Sequence, residues 1–154
     1  MMKLCSDVLT ALAGKTLVTA ESLTGGGIGA ALTSVPGSSA VYKGGIISYT
    51  NWVKETVLGV SHDTLETYGA VSLQTAEEMA VGARKCLQAD VAVSVTGLAG
   101  PGGDEYGNPV GTVCIGFSNE QESFAVTHHF EGNREDVRNQ TIRAALELVL
   151  GNNA

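Results

Sequence analysis

Leu4, Val8, Leu9 and Leu12 recur at the spacing of one helix face, and residues 16–20 then read as a short β-rich strand running into a polar, glycine-rich turn. Ile28, Ala31 and Leu32 predict a second helix after the glycines, ended by the turn residues Val35-Pro36-Gly37-Ser38-Ser39. A second strand ends near Ile46-Ile47-Ser48-Tyr49. Asn51 is placed to cap a short helix through Leu58 and Ser61 another through Tyr68, with Gly59 and Gly69 closing them in the C′ position. Ser72 is placed to cap a longer helix whose apolar face is Ala76, Met79, Ala80 and Ala83.

Residues 91–95 read as a buried strand followed by a loop over 97–109. Strands near 111–117 and 123–130 are joined by a polar turn at 118–121, too short for a parallel crossover, so they should pair antiparallel. Asn133 is placed to cap a last helix with Asp136 at N3, its inner face being Val137, Thr141, Ala144, Ala145 and Leu148. The prediction is an α/β protein with a mixed central sheet covered by helices on both faces. Residues 1–154 are expected to form a single domain, with no internal repeat, low-complexity tract or linker.

Composition narrows the partners. Apolar residues at 44% against 16% charged suit a packed globular core. A net charge of −7 argues against a nucleic-acid binder that relies on a broad basic surface, so any anionic ligand must be held locally. No apolar run reaches the roughly 18–20 residues of a membrane span, and the first residues lack a signal-peptide core, which makes a cytoplasmic location the expectation. Cys5, Cys86 and Cys114 are too few and too widely spaced for a disulfide framework or a paired metal site, and read as packed thiols. The 20 glycines stand out, at nearly twice the usual roughly 7%.

Gly14-Lys15-Thr16 has the end of a phosphate-binding P-loop but leads into a strand, and position 9 is Leu where that motif needs Gly. Gly25-Gly26-Gly27-Ile28-Gly29 lies between a strand and a helix, where backbone amides bind anions, though its spacing matches a dinucleotide fingerprint only weakly and a packing turn also accounts for it. Just before it, Ser22 places a hydroxyl at a strand end beside those amides. That suits a nucleophile with an oxyanion hole, and an N-cap serine equally well. The second cluster, Thr96-Gly97-Leu98-Ala99-Gly100-Pro101-Gly102-Gly103, follows another strand and can meet Ser22 at the carboxyl edge of the sheet. Arg134 and Arg138 at the start of the last helix would add charge for an anion.

A nucleophilic serine needs a base. His128 and His129 point to opposite faces of a strand and His62 sits on a surface helix, so the histidines are assigned structural roles. Lys54 remains, with Tyr49 placed to carry a proton between it and Ser22; a surface lysine beside a core-edge tyrosine fits the same spacing. At an unperturbed pKa only about one lysine in 2,500 is neutral at pH 7, so a lysine base must be desolvated or lie near another cation.

Read in order, the motifs Thr19-Ala20-Glu21-Ser22, Pro36-Gly37-Ser38-Ser39, Tyr49-Thr50-Asn51 with Lys54, Gly69-Ala70-Val71-Ser72, Thr96-Gly97-Leu98-Ala99-Gly100-Pro101, Pro109-Val110-Gly111-Thr112-Val113 and Gly132-Asn133-Arg134 with Arg138 span nearly the whole chain. The chain thereby resembles the C-terminal domain family of the competence/damage-inducible protein CinA, whose stand-alone members include nicotinamide-nucleotide amidohydrolases. The resemblance implies a three-layer α/β/α sandwich and hydrolysis of the carboxamide of nicotinamide mononucleotide to nicotinic acid mononucleotide and ammonia. Carried over by position, Ser22 is the nucleophile and Tyr49 and Lys54 its activating partners, with no metal or cofactor implied. Amides near Thr24, Gly25 and Gly26 would stabilise the oxyanion, while Thr96, Gly97, Ala99 and Gly100 with Arg134 or Arg138 would hold the phosphate. The implied partner is a small-molecule nucleotide substrate, and a homo-oligomer stays open because a small glycine-rich protein often completes its site with a neighbouring chain. Leu23 stands where family members commonly have Cys, and is expected to be a packing position. Many members carry a further N-terminal pyrophosphatase-type domain, whose activity is not carried over to these 154 residues. The competing readings are a nucleotide-binding module without catalysis and an amidase for another small carboxamide.

Overall fold

The computed structural model describes residues 1–153. Strands β1 (Leu17–Glu21), β2 (Tyr42–Ile47), β3 (Val91–Gly97), β4 (Thr112–Ser118) and β5 (Ser123–His129) form one sheet in the order β2-β1-β3-β4-β5. The first three are parallel, while β3–β4 and β4–β5 are antiparallel, so the sheet is mixed as the sequence predicts. Side-chain alternation divides it into two apolar faces. Leu17, Val91, Val93, Val95 and Ile115 pack with residues of α1 (Met2–Ala11), α2 (Gly27–Thr33) and α6 (Arg134–Gly151). Val18, Ala20 and Ala92 face the other way, against α4 (His62–Tyr68), α5 (Leu73–Cys86) and the turn after α3 (Asn51–Thr56). The result is the expected α/β/α sandwich.

The crossover from β1 to β2 runs over one face through α2, and that from β2 to β3 over the other through α3, α4 and α5. The first connection runs outward from β1 to the edge strand β2 and the second runs back past β1 to β3, and right-handed crossovers in opposite directions must use opposite faces, which opens a crevice beyond the carboxyl ends of the strands.

Helix starts follow local chemistry. The Ser72 hydroxyl accepts the Thr75 amide, and Asn133 with Asp136 forms a reciprocal capping box on α6, both as expected. Thr50, one residue earlier than Asn51, is the cap of α3: its backbone is extended and its hydroxyl accepts the Val53 amide. Ser61 occupies the cap position of α4 but its hydroxyl makes no capping bond. Glu78 of α5 instead receives the Ser61 amide at 2.8 Å and the Thr64 hydroxyl at 2.6 Å, tying α4 to α5. Cys5 and Cys114 are packed, whereas Cys86 is exposed at the end of α5, contrary to the expectation for all three thiols.

Candidate active site

The register of the parallel strands sets out the site. Glu21 of β1 lies level with Ile47 of β2 and Val95 of β3. The next residues, Ser48, Ser22 and Thr96, therefore line up across the carboxyl edge. The Ser22 amide donates to the Val95 carbonyl at 3.1 Å and the Ser48 amide to the Glu21 carbonyl at 2.7 Å, so the nucleophile candidate sits on backbone held from both sides.

Alternation points Glu21 to the α2 face and Ser22 to the opposite one, where α3 delivers Lys54. Lys54 Nζ lies 3.0 Å from Ser22 Oγ, 2.7 Å from the Ser48 carbonyl oxygen and 3.4 Å from that of Tyr49. The lysine is only 1% exposed, and among the described residues no carboxylate pairs with it. Burial pushes its pKa down to about 8. A neutral amine has two N–H donors and one lone pair; the two carbonyls can take the donors, leaving the lone pair for the serine hydroxyl.

The Tyr49 hydroxyl is turned elsewhere. It accepts a bond from Arg134 Nη2 at 3.1 Å, and the ring is 58% exposed at the rim. Lys54 thus meets Ser22 directly, and the expected relay through the tyrosine side chain is replaced by a backbone contact from Tyr49 to the lysine. Arg134 also donates to the Gly100 carbonyl at 2.6 Å, and so bridges the 97–103 loop to the segment after β2.

These groups surround a cavity of about 320 Å³, lined by Ser22, Tyr49, Lys54, Thr96, Gly97, Ala99, Gly100 and Arg134. That volume lies within the range of small-molecule sites. Leu23, Asn51, Ala70, Val71, Leu98 and Gly102 complete the wall. Leu98 and Gly102 belong to the 97–103 loop that the sequence marks for anion binding, whereas Leu23, Asn51, Ala70 and Val71 carry no binding signal there, Asn51 reading as a cap and Leu23 as a packing position.

Thr24, Gly25, Gly26 and Arg138 do not line the cavity. Buried Glu21 accounts for much of the glycine turn. Its carboxylate accepts the Thr24 hydroxyl at 2.6 Å and the Ile28 and Gly29 amides at 2.9 and 3.0 Å, so the first turn of α2 is satisfied from within. The Gly25 amide closes a turn on the Ser22 carbonyl at 3.1 Å and the Gly27 amide one on Thr24 at 3.0 Å. The Leu23, Thr24 and Gly26 amides have no hydrogen-bond partner among the described residues. Gly26 itself has φ 106°, a left-handed conformation that a side chain would strain. Arg138 Nε and Nη2 donate to the Leu23 and Thr24 carbonyls at 3.0 and 3.2 Å, which commits this guanidinium to the turn behind the nucleophile. Leu23 is buried in the core, which suits its expected packing role.

His62 sits near Glu55 and Glu66 on the surface, His128 stacks on Phe130, and His129 approaches Thr112. None of the three lines the cavity. No helix among the described residues is long and apolar enough to cross a membrane.

A three-layer α/β sandwich with a serine, a buried lysine and a glycine loop at the carboxyl edge is the class defined by fold and site. Residues 1–152 match the family model described as the CinA C-terminal domain. The chain belongs to that family. It is 42% identical over 151 residues to a CinA-like protein of Endomicrobium trichonymphae, a match covering 94% of this chain and 35% of that protein. It is 44% identical over 133 residues to a CinA-like protein of Thermotoga neapolitana, covering 86% of this chain and 32% of that one. The chain thus spans about a third of the length of these curated relatives. Among solved structures, a CinA superfamily protein from Klebsiella pneumoniae superposes with a TM-score of 0.95 at 34% identity, covering 99% of this chain and 96% of that one. The competence/damage inducible protein CihA from Agrobacterium tumefaciens gives 0.92 at 41%, covering 99% and 95%.

Proposed function

We propose that this protein hydrolyses the carboxamide of nicotinamide mononucleotide, releasing ammonia and nicotinic acid mononucleotide. The observation that carries the reading is the 3.0 Å approach of buried Lys54 Nζ to Ser22 Oγ on the cavity wall. With its pKa lowered to about 8, about a tenth of Lys54 is neutral at pH 7, against about one in 2,500 for an ordinary lysine. As Ser22 Oγ attacks the amide carbon, its proton passes to the Lys54 lone pair. The tetrahedral intermediate collapses as Lys54 returns that proton to the departing nitrogen, giving ammonia and an ester on Ser22. Water then attacks the ester, Lys54 takes its proton, and the carboxylic product leaves as Ser22 regains a hydrogen.

Free amides following the nucleophile are suited to the developing oxyanion. Among them, Leu23 lies on the cavity wall, and its amide and that of Thr24 are unpaired. The substrate phosphate would lie against the 97–100 backbone and Arg134, two elements that hold a small anion locally in a chain of net charge −7. Tyr49 would serve through its carbonyl, which faces Lys54, and through its hydroxyl, which steadies Arg134. The steps written here draw only on Ser22, Lys54, backbone amides and water.

Ammonia release from nicotinamide mononucleotide, nicotinamide riboside and free nicotinamide tests the reading. The nucleotide should be the preferred substrate by kcat/KM, with loss of the phosphate costing at least tenfold. Equal values for all three would remove the role given to the phosphate-binding loop, and nucleotide binding without ammonia release would favour a module without catalysis.

A further inference from the structure

Arg138 is an arginine whose forked donors meet no acid. Among the described residues it has no ion pair, and two of its nitrogens are spent on the successive carbonyls of Leu23 and Thr24, the two residues after Ser22. A guanidinium is suited to bidentate recognition of a carboxylate or phosphate. Here it recognises a turn.

The consequence follows from the planar trans peptide, in which the C=O and N–H of one unit point in opposite directions. The Leu23 carbonyl belongs to the same peptide unit as the Thr24 amide. Drawing that carbonyl toward α6 turns the Thr24 N–H away from α6. The Ser22 carbonyl, held by the Gly25 amide, likewise directs the Leu23 N–H outward. Both amides lack an internal acceptor, although their peptide oxygens are engaged. A cation on the Leu23 carbonyl also polarises its conjugated amide, making the Thr24 N–H a stronger donor.

The clamp is rigid at both ends. Arg138 leaves the first turns of α6, which are fixed by the Asn133–Asp136 capping box and by the buried Val137 and Thr141. On the far side of the turn, Glu21 grips the Thr24 hydroxyl and the start of α2. Gly25, φ 59°, passes beneath the guanidinium, and a Cβ there would already stand 3.8 Å from Nη2.

We propose that Arg138 is a positioning residue that fixes the Leu23–Thr24 turn so that the unpaired Leu23 amide, on the cavity wall, serves as the oxyanion donor for Ser22, and that it is no ligand of the substrate phosphate. The inference rests on the Ser22 nucleophile described above. It predicts a loss that falls on kcat and on tetrahedral adducts while substrate binding is spared.

The test compares wild type with Arg138→Lys and Arg138→Gln, with circular dichroism and melting curves confirming a folded state. For nicotinamide mononucleotide, kcat should fall on the order of 10²-fold, the scale of a lost oxyanion donor, while KM stays within about threefold. Pyridine-3-boronic acid, which forms a tetrahedral adduct with a nucleophilic serine and carries no phosphate, should bind more weakly by a comparable factor. Because the boronate needs no turnover, weaker binding in the variants supports the clamp even if the nucleotide is not the substrate. Guanidinium chloride at non-denaturing concentration should restore part of the kcat of Arg138→Ala. A rise confined to KM, or boronate affinity unchanged in both variants, overturns the proposal and returns Arg138 to phosphate binding or to plain packing.

Discussion

Lys54 Nζ and Ser22 Oγ, 32 positions apart in the chain, lie 3.0 Å from each other at the end of the sheet. The lysine is buried without a carboxylate and is held by the backbone carbonyls of Ser48 and Tyr49. Desolvation is therefore uncompensated by an opposite charge, which is the condition for an amine to act as a base near neutrality.

The first consequence is a pH profile. With the Lys54 pKa near 8, kcat/KM should rise with pH through about 8 and level off above it, as the neutral amine becomes the dominant form. Lys54→Met should lower kcat by about 10³-fold or more and abolish that limb. A full-amplitude limb near pH 8 in the Met variant would assign the titration to another group.

Lys54 also links pH to stability. Folding lowers its pKa from 10.5 to about 8, so between those values the unfolded chain binds more protons and stability rises with pH. The penalty is fully present below about pH 8 and is relieved as pH approaches 10.5. At the full shift it amounts to about 3 kcal/mol. Denaturant unfolding at pH 7 and pH 10 should accordingly show wild type gaining on Lys54→Met as pH rises; a constant difference would mean that the lysine is not desolvated.

At the cavity mouth, Arg134 joins Tyr49 to Gly100. Arg134→Ala should raise KM for nicotinamide mononucleotide by roughly tenfold, a loss of about 1.4 kcal/mol, and change KM for nicotinamide riboside little. Tyr49→Phe keeps the backbone carbonyl that faces Lys54, so kcat should fall by less than about tenfold. A loss from Tyr49→Phe as large as that from Lys54→Met would restore the tyrosine hydroxyl to the proton path.

Gly116 tests how the second helical layer seats on the sheet. A Cβ at this position of β4 would collide with the Ala76 carbonyl of α5 and lie 2.5 Å from Ser94 Oγ. Gly116→Ala should destabilise the fold by roughly 1–3 kcal/mol, read as a lower denaturation midpoint. An unchanged midpoint would show that α5 can lift away freely.

Much of this arrangement is legible in the sequence, because periodicity marks the elements and the strand-end rule gathers residues 22, 49 and 97–100 at one edge. The direct Lys54–Ser22 contact was not, since it depends on how a short helix leaves β2. Glu21 carried an unused signal: on a fully buried strand a carboxylate must find donors, and the next helix start supplies them. Arg134 and Arg138 share a face of α6, yet four residues of helix separate them by about 6 Å along its axis. That distance is enough to put one at the cavity mouth and the other behind the nucleophile's turn. The Thr50 cap shows the usual one-residue slip at a helix boundary.

The most direct test of the central claim is ammonia release from nicotinamide mononucleotide by wild type and by a folded Ser22→Ala variant, measured side by side at pH 8. Wild type should release ammonia steadily, and the variant should be slower on the order of 10³-fold or more. Retained turnover in Ser22→Ala would contradict that claim.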